Sequence, residues 1–234
     1  MIRFITLFFL VQMAILARYI VYGKFEPISY ASTYLLLIAA VVLYILSKKF
    51  AKKELEYRPN NIDTWSFYNK QRIFTIEKPL YKGEEKRGSI QRVFIKKWQY
   101  IVADMIDLSF FLALKINIDQ DIFEINPAFG KWASNQSYWT ILKNGAEIGH
   151  AKTVIDLKNT AKLKEVIEIQ LVENTYTTAA NTVTSQITLL ENTQQIGEMT
   201  KNQLISNVNV ITVEEDSPEK IIALLLHAYH FKNA

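Results

Sequence analysis

Two apolar runs at the start of the chain limit what its N-terminal part can form. They cover residues 4–22 and 28–46 and are separated by a short connector. Each run is close to the ~20 residues that a helix needs to cross about 30 Å of hydrocarbon. A helix also satisfies every backbone amide within its own segment, as the bilayer interior requires. The runs therefore predict a two-helix transmembrane hairpin with spans of about 4–22 and 28–46.

A cluster of basic residues predicts the orientation of this hairpin. The lysines that follow the second run are Lys48, Lys49, Lys52 and Lys53. They outweigh Lys24 and Glu26 in the connector, and basic residues beside a span are retained in the cytoplasm. We therefore expect an integral protein of the cell membrane with both termini cytoplasmic. We also expect the lysines to contact the membrane surface, because they attract anionic headgroups.

The first run has an alternative interpretation as a cleaved signal peptide. Small residues at Ala14 and Ala17 stand near the place where a cleavage site is expected. A cleaved form would keep the second run as an anchor, but it would leave the short connector over residues 23–30 without a reason. We therefore favour the hairpin. Arg18 needs no functional explanation, because its long side chain can reach the interface.

The remainder of the chain has the size of one domain. Of 234 residues, the segment 1–58 is assigned to the hairpin and its basic extension, and 60–234 to the domain, with Pro59 at the break. The absence of cysteine excludes a disulfide scaffold, a thiol nucleophile and a cysteine metal site. The net charge of +4 is modest, and the chain has no arginine-rich helix or zinc spacing. A nucleic-acid partner is therefore not indicated.

Beyond the break, the sequence pattern is typical of an all-β fold. Short runs of β-branched and aromatic residues alternate with Asn, Gly, Asp and Lys turns. The predicted strands include residues 72–76, 115–118, 138–142, 166–171, 183–190 and 208–213.

One predicted hairpin occurs twice. Residues 140–149 match residues 188–197 without a gap at threonine, leucine, asparagine, isoleucine and glycine. Asn144-Gly145 is a favoured two-residue loop. Gly149 and Gly197 fall inside the returning strands, where glycine marks a bulge or a close backbone approach rather than a phosphate site.

The C-terminus differs in kind from the strands. Ser217 can cap and Pro218 can open a helix that continues through residues 221–231. This helix is apolar on nearly every face and too short to span a bilayer, so it must be enclosed by protein. A sheet curled around the helix would bury it and close its own edges.

The repeated hairpin, with residues 139–149 as its clearest copy, and the apolar terminal helix resemble the tubby C-terminal-like superfamily. That group includes tubby proteins, phospholipid scramblases and LURP-one-related proteins, and some of its bacterial-type members of unknown role are membrane-anchored. The resemblance covers about residues 62–234 and implies a closed barrel of twelve strands around a central C-terminal helix. No stretch matches the family's phosphoinositide motif, so no lipid, calcium or scramblase residues are carried over.

Four polar residues are candidates for chemistry. Asp104 and Asp107 lie three apart in an apolar stretch and could share a helix face, but solvent-facing charges are the favoured interpretation. His227 and His230 also lie three apart, but two histidines need further ligands to hold a metal. We expect them to mark the polar exit of the terminal helix, and we predict neither a catalytic, metal nor cofactor site.

Two basic stretches remain, and one of them includes a candidate membrane contact. Residues 82–92 are interpreted as a solvated loop. Lys96, Lys97 and Trp98 combine lysines with an amphipathic ring and could rest on a membrane surface. The favoured alternative is a half-buried strand over residues 92–100 with its aromatic residue turned inward.

These patterns indicate where the protein acts more clearly than what it does. No nucleophile elbow, phosphate-binding loop or zinc-protease helix occurs, so we expect no enzyme. The leading hypothesis is a membrane-anchored cytosolic binding or sensing module that recognises anionic lipid headgroups or a protein. The alternative is an oligomeric, lipid-moving or transport-associated protein, suggested by Gln12 and Arg18 in the first span. The sequence does not determine the oligomeric state.

Overall fold

The computed structural model describes residues 2–70, 75–106, 111–128, 136–154, 164–172, 174–181, 184, 186–203 and 207–231. Within them, an N-terminal helical hairpin precedes a closed β-barrel that contains a further helix. Of the predicted strand 72–76, residues 72–74 lie outside the described residues, and residues 75 and 76 are not in a strand.

Three helices form the hairpin, namely α1 (Ile2–Tyr22), α2 (Pro27–Ser32) and α3 (Tyr34–Leu55). Gly23 turns the chain after α1 with a φ of 66°, a conformation that glycine adopts without strain. Only Thr33 separates α2 from α3, so these two helices make one nearly continuous arm.

The two arms of the hairpin pack side by side. Gln12 Nε2 in α1 donates a 2.5 Å hydrogen bond to Thr33 Oγ1, and the rings of Phe8 and Tyr34 meet edge to face at 5.4 Å. Both amide and hydroxyl are buried, so each satisfies the other where water is absent.

The described residues form twelve strands in one closed barrel. The strands are β1 (Trp65–Tyr68), β2 (Glu77–Lys82), β3 (Glu85–Val93), β4 (Ala113–Ile118), β5 (Asp121–Ala128), β6 (Tyr138–Lys143), β7 (Ala146–Thr153), β8 (Lys164–Leu171), β9 (Thr175–Asn181), β10 (Ile187–Glu191), β11 (Gln194–Lys201) and β12 (Val208–Val213). Consecutive strands pair antiparallel, and β1 closes the barrel against β12, so no edge is left unpaired.

The predicted hairpin repeat is confirmed, and the barrel contains a third copy at residues 79–88. Each copy has a register shift just before its turn and a glycine in its returning strand. The shifts lie between Leu80 and Tyr81, between Ile141 and Leu142 and between Leu189 and Leu190, and the glycines are Gly88, Gly149 and Gly197. The third copy corrects the prediction of a solvated loop over residues 82–92, which was wrong because this segment turns at Gly83 and pairs as β3.

The C-terminal helix, which we number α5 (Pro218–His230), follows β12 and fills the core of the barrel. Pro218 occupies its first turn as predicted, but the Ser217 hydroxyl donates to Glu219 Oε2 at 2.8 Å and does not cap a backbone N–H. Residues 220–229 are all buried. The apolar surface of α5 is therefore enclosed by the inward side chains of the strands.

The two ends of the barrel carry different connections. At the end that we call the turn end, short turns join β2 to β3, β4 to β5, β6 to β7, β8 to β9 and β10 to β11, and α5 begins. The other end, which we call the loop end, has the longer connections between strands, and α5 ends there. One of these connections contains α4 (Lys97–Ile106), between β3 and β4. The α3 helix meets β2 near the loop end, so the hairpin leaves the barrel from that end.

Candidate membrane interface and barrel cavity

The hairpin exposes its apolar surface. Within the most apolar window of each arm, 11% of the residues are buried, whereas α5 is buried along almost its whole length. Both arms are long and apolar enough to cross a membrane, by length and composition.

A basic collar follows the apolar part of α3. Its members, all exposed, are Lys48, Lys49, Lys52 and Lys53. Lys48 Nζ lies 4.7 Å from the centre of the Tyr44 ring, and Lys52 pairs with Glu56 at 3.6 Å. The collar therefore presents exposed ammonium groups directly beside apolar side chains, the arrangement that anionic headgroups attract.

The polar end of α3 is buried against the barrel through Glu54. Glu54 Oε1 accepts a 2.6 Å hydrogen bond from the Lys70 N–H and lies 3.4 Å from Lys78 Nζ, and both charged side chains are at most 2% exposed. Lys78 also donates to Asn69 Oδ1 at 2.8 Å and lies 5.3 Å from the centre of the Tyr229 ring. Since a buried charge is costly without its partner, this pair joins α3, β2 and α5.

Tyr57 extends the same contact along the outer wall of the barrel. Its hydroxyl donates to Ser66 Oγ at 3.1 Å, and its ring packs against the rings of Tyr68 and Tyr81. Burial raises the pKa of Tyr57 above its ordinary value, although the hydrogen bond to Ser66 opposes the shift. The hairpin is thus attached to the barrel by packing as well as by an ion pair.

A helix occupies the segment for which a strand was favoured. The strand prediction over residues 92–100 was wrong: β3 ends at Val93, and α4 follows. Gln99 supplies the physical reason, because its Oε1 accepts the Lys96 N–H at 2.9 Å and satisfies a backbone donor at the helix start.

Trp98 consequently faces outward instead of into the barrel. It is 49% exposed, and Lys96 and Lys97 beside it are exposed as well. The indole ring packs edge to face on the Phe111 ring at 5.2 Å. The membrane contact predicted for these three residues stays a prediction, and their exposure leaves them available for it.

Asp104 lies on the inner side of α4. Its carboxylate accepts a hydrogen bond from the Ile2 N–H in the first turn of α1, and the Arg3 Nε donates to its backbone oxygen at 3.3 Å. With 8% exposure, Asp104 is not the solvent-facing charge we had favoured. The reason is that the unpaired N–H groups and dipole of a helix start attract a carboxylate. Asp107 lies outside the described residues.

A cavity of about 360 Å³ opens at the turn end beside the start of α5. Its lining residues are Lys143, Ile148, Leu171, Val172, Asn174, Tyr176, Ser217 and Glu219. The size is within the usual range of ligand pockets, which begins near ~300 Å³.

An ion-pair network forms the polar wall of this cavity. Lys143 Nζ lies 2.9 Å from Asp121 Oδ2 and 3.1 Å from Glu219 Oε1. The hydrogen bond with Asp121 raises the pKa of Lys143. Burial favours a higher pKa for Glu219, but hydrogen bonds from Ser217, from its own backbone and from Lys143 outweigh burial and lower it. Two carboxylates and one ammonium group give this wall a net negative charge.

The barrel and its inner helix coincide with the span of a known family. The family model of the Tubby C-terminal like domain matches residues 65–232, from the first residue of β1 to just past the end of α5. The chain belongs to the Tubby C-terminal-like family. No curated protein and no solved structure matches it. The hairpin precedes the Tubby C-terminal-like domain, and the closed twelve-stranded barrel around α5 is the fold that the resemblance implied.

The histidines of α5 lie near the loop end of the Tubby C-terminal-like domain. His227 is fully buried, with Nδ1 2.7 Å from Thr178 Oγ1, and burial lowers its pKa to about 3. It therefore does not mark a polar exit. His230 lies nearer the helix end and pairs with the Glu165 carboxylate. Among the described residues, no group of three or more His, Asp or Glu side chains could hold a metal ion.

Sequence reasoning missed the residues that attach the hairpin to the Tubby C-terminal-like domain. Glu54 stands among lysines and Lys78 next to a glutamate, a pattern that indicates solvent exposure. The cavity residues were missed as well, because they come together from two hairpins, β6–β7 and β8–β9, and the start of α5. The third copy of the hairpin repeat had a usable signal in Gly88, which aligns with Gly149 and Gly197.

Proposed function

We propose that the protein is a membrane-anchored binding module in which the hairpin crosses the membrane and holds the barrel on its cytosolic side. The observation that carries this proposal is the contact of the buried Glu54, in α3, with Lys78 of the barrel. One helix, α3, has exposed apolar side chains along its first turns and a buried carboxylate on the barrel in its last turn. The anchor and the domain are therefore one connected body rather than two parts joined by a loose tether.

The basic collar supports the orientation. Lys48, Lys49, Lys52 and Lys53 lie between the apolar part of α3 and the barrel. Basic residues beside a span stay in the cytoplasm, so the barrel lies on the cytosolic side of the cell membrane in this proposal. The N-terminus of α1 lies at the same end of the hairpin, since Ile2 contacts α4.

The cavity is the candidate ligand site. Because the hairpin leaves from the loop end, the turn end and its cavity point away from the membrane. Ile148, Leu171 and the 81% exposed Val172 offer an apolar surface beside the net negative wall around Lys143. This combination suits a soluble ligand or peptide segment that carries both an apolar group and a positive charge.

Binding accounts for these features better than catalysis or lipid transport does. Proteins of the Tubby C-terminal-like family are generally not enzymes. The polar residues of the first span have partners inside the hairpin: Gln12 bonds to Thr33, and Arg18 pairs with Glu26 at 2.7 Å. Within the described residues, neither Gln12 nor Arg18 thus supports the lipid-moving alternative.

Single cysteines test the anchoring, because the chain has none of its own. Ile28→Cys lies in the first turn of α2, next to the turn between the two arms, at a position that is 84% exposed. Val172→Cys lies at the turn end of the barrel. In intact cells, a membrane-impermeant maleimide should label Ile28→Cys, whereas Val172→Cys should react only after lysis. Labelling of Val172→Cys in intact cells, or recovery of the chain in the soluble fraction, would overturn the proposal.

A cavity-filling variant tests the ligand site. Dansylcadaverine, which has an apolar ring system and an ammonium group, should bind the full chain in detergent micelles saturably. Asn174→Trp, at an exposed position of the cavity lining, should abolish that binding. Gln194→Trp is the matched control, since it is exposed at the turn end but does not line the cavity. Equal binding by all three proteins would exclude the cavity as the site.

A further inference from the structure

We propose that α4 is an interfacial helix that lies in the headgroup region of the membrane that the hairpin crosses, with the face formed by Trp98 and Ile101 turned toward lipid. This inference rests on the proposed anchoring, and it goes beyond it by assigning a second, non-spanning membrane contact to the Tubby C-terminal-like domain.

The outer face of α4 is more apolar than that of a helix on a water-facing surface. Two of its polar side chains, Gln99 and Asp104, are buried at 3% and 8% exposure. Beside the exposed Lys97, Trp98 and Ile101 are 49% and 46% exposed. A soluble helix turns its apolar stripe to the core and its polar residues to water. The outer face of α4 is therefore suited to a surrounding less polar than water.

The position of α4 along the hairpin places this face at the membrane boundary. On one side, Asp104 holds the Ile2 N–H at the start of α1. On the other, Tyr44 of α3 is near enough to contribute to the raised pKa of Tyr100, after burial and Asp104. Tyr44 is the third-last residue of the apolar run 28–46, and Lys48 follows one turn later. The helix thus lies level with the transition from apolar to basic residues.

The segment is held in place from inside the protein. Gln99 closes the first turn through the Lys96 N–H, the Arg3 Nε donates to the backbone of Asp104 at 3.3 Å, and Phe111 supports the Trp98 ring. These contacts fix the exposed apolar face in one position. Tryptophan, whose ring is amphipathic, is enriched at headgroup depth.

Charge indicates the kind of membrane surface. Lys96 and Lys97 precede the apolar face, and the 57% exposed Ile95 continues it. Lys96 and Lys97 on the α4 segment and the basic collar on α3 thus both place ammonium groups near the membrane boundary. The partner that fits is the interfacial region of an anionic leaflet, because it offers acyl chains to the tryptophan and phosphates to the lysines.

Site-specific fluorescence on the full chain tests this inference. Three single-cysteine variants labelled with NBD are compared in nanodiscs of phosphatidylcholine and phosphatidylglycerol that hold one chain each. They are Ile101→Cys on α4, Ile38→Cys in the middle of the second run and Val172→Cys at the turn end, all exposed apolar positions. Quenchers are aqueous iodide and lipids with a nitroxide near the headgroup or near the middle of the acyl chain.

The inference expects Ile101→Cys to emit at shorter wavelength than Val172→Cys and to be quenched most by the shallow nitroxide. Ile38→Cys should be quenched most by the deep nitroxide, and Val172→Cys by iodide alone. If Ile101→Cys behaves like Val172→Cys while Ile38→Cys stays in lipid, the inference is overturned and the anchoring stands. Protection of Ile101→Cys from iodide and from both nitroxides would also overturn it, because protein would then cover the face. If Ile38→Cys is open to iodide, the anchoring itself fails.

Discussion

Two surface ion pairs at the turn end of the barrel and the ion pair that attaches the hairpin at the loop end differ in how deeply they are buried. At the turn end, ion pairs such as Arg87 with Asp119 and Lys143 with Asp121 lie at the surface, with side chains about one-third exposed. At the loop end, Glu54 and Lys78 are at most 2% exposed. Exposed pairs contribute little, whereas a buried pair cannot lose one member cheaply. The difference teaches that the attachment of the hairpin depends on its ion pair, whereas these two surface pairs can change at little cost.

The largest expected effect comes from neutralising the buried carboxylate. Glu54→Gln keeps an acceptor for the Lys70 N–H but leaves the Lys78 ammonium buried without its counter-charge. We expect the free energy of unfolding to fall by about 3–5 kcal/mol. Denaturant unfolding in detergent micelles, followed by tryptophan fluorescence, measures the loss.

Two controls make this result specific. Glu54→Gln combined with Lys78→Met removes both charges, and most of the lost stability should return. Glu56→Gln, two residues away and paired with Lys52 at the surface, should change stability by less than about 1 kcal/mol. A loss of similar size in Glu56→Gln, or none in Glu54→Gln, would remove the contrast between buried and exposed pairs.

The turn end depends on close backbone approach more than on charge. A Cβ at position 149 would lie 2.0 Å from the Gln170 carbonyl oxygen, so Gly149→Ala forces two strands apart. We expect a loss of about 1–3 kcal/mol, typical of overpacking. Gly197→Ala should cost less, because the nearest atoms there, Val213 Cγ1 at 2.8 Å and the Thr212 carbonyl oxygen at 3.0 Å, are farther away. Thermal unfolding of both variants compares them, and the reverse order would contradict the argument.

His227 gives the loop end a pH dependence. Its folded pKa of about 3 lies below the ordinary value of 6.5, so the unfolded chain binds more protons between these pH values. Stability therefore falls as the pH drops below 6.5. Between pH 7 and 5.5 this group should remove about 1 kcal/mol. His227→Gln should show a smaller loss over that range in denaturant titrations. An unchanged loss would mean that folding does not lower the pKa of His227.

The smallest effect is expected at an exposed pair of the turn end. Arg87→Gln removes the contacts of Arg87 with Asp119 and with Glu85, and stability should change by less than about 1 kcal/mol. The difference from wild type should shrink further at high salt, because screening weakens exposed pairs. A loss as large as that of Glu54→Gln would show that exposure does not separate the two ends.

Much of this architecture was predictable because its signals are local. The apolar runs predict helices, Asn144-Gly145 predicts a turn, and residues 208–213 form a strand with the predicted bounds. The prediction failed at α4, where alternation over a few residues is compatible with a strand and only the contact between Gln99 and the Lys96 backbone decides for a helix.

Local pattern determined that the chain has an exposed apolar hairpin, a barrel of repeated hairpins and an enclosed terminal helix, because hydrophobic periodicity and turn chemistry act over a few residues. Only the tertiary structure decided which charges are buried. Glu54 and Lys78 are 24 positions apart, and Asp104 meets Ile2 across 102 positions. Their environment is set by elements brought together from distant parts of the chain, so neither partner's neighbours in the sequence reveal it.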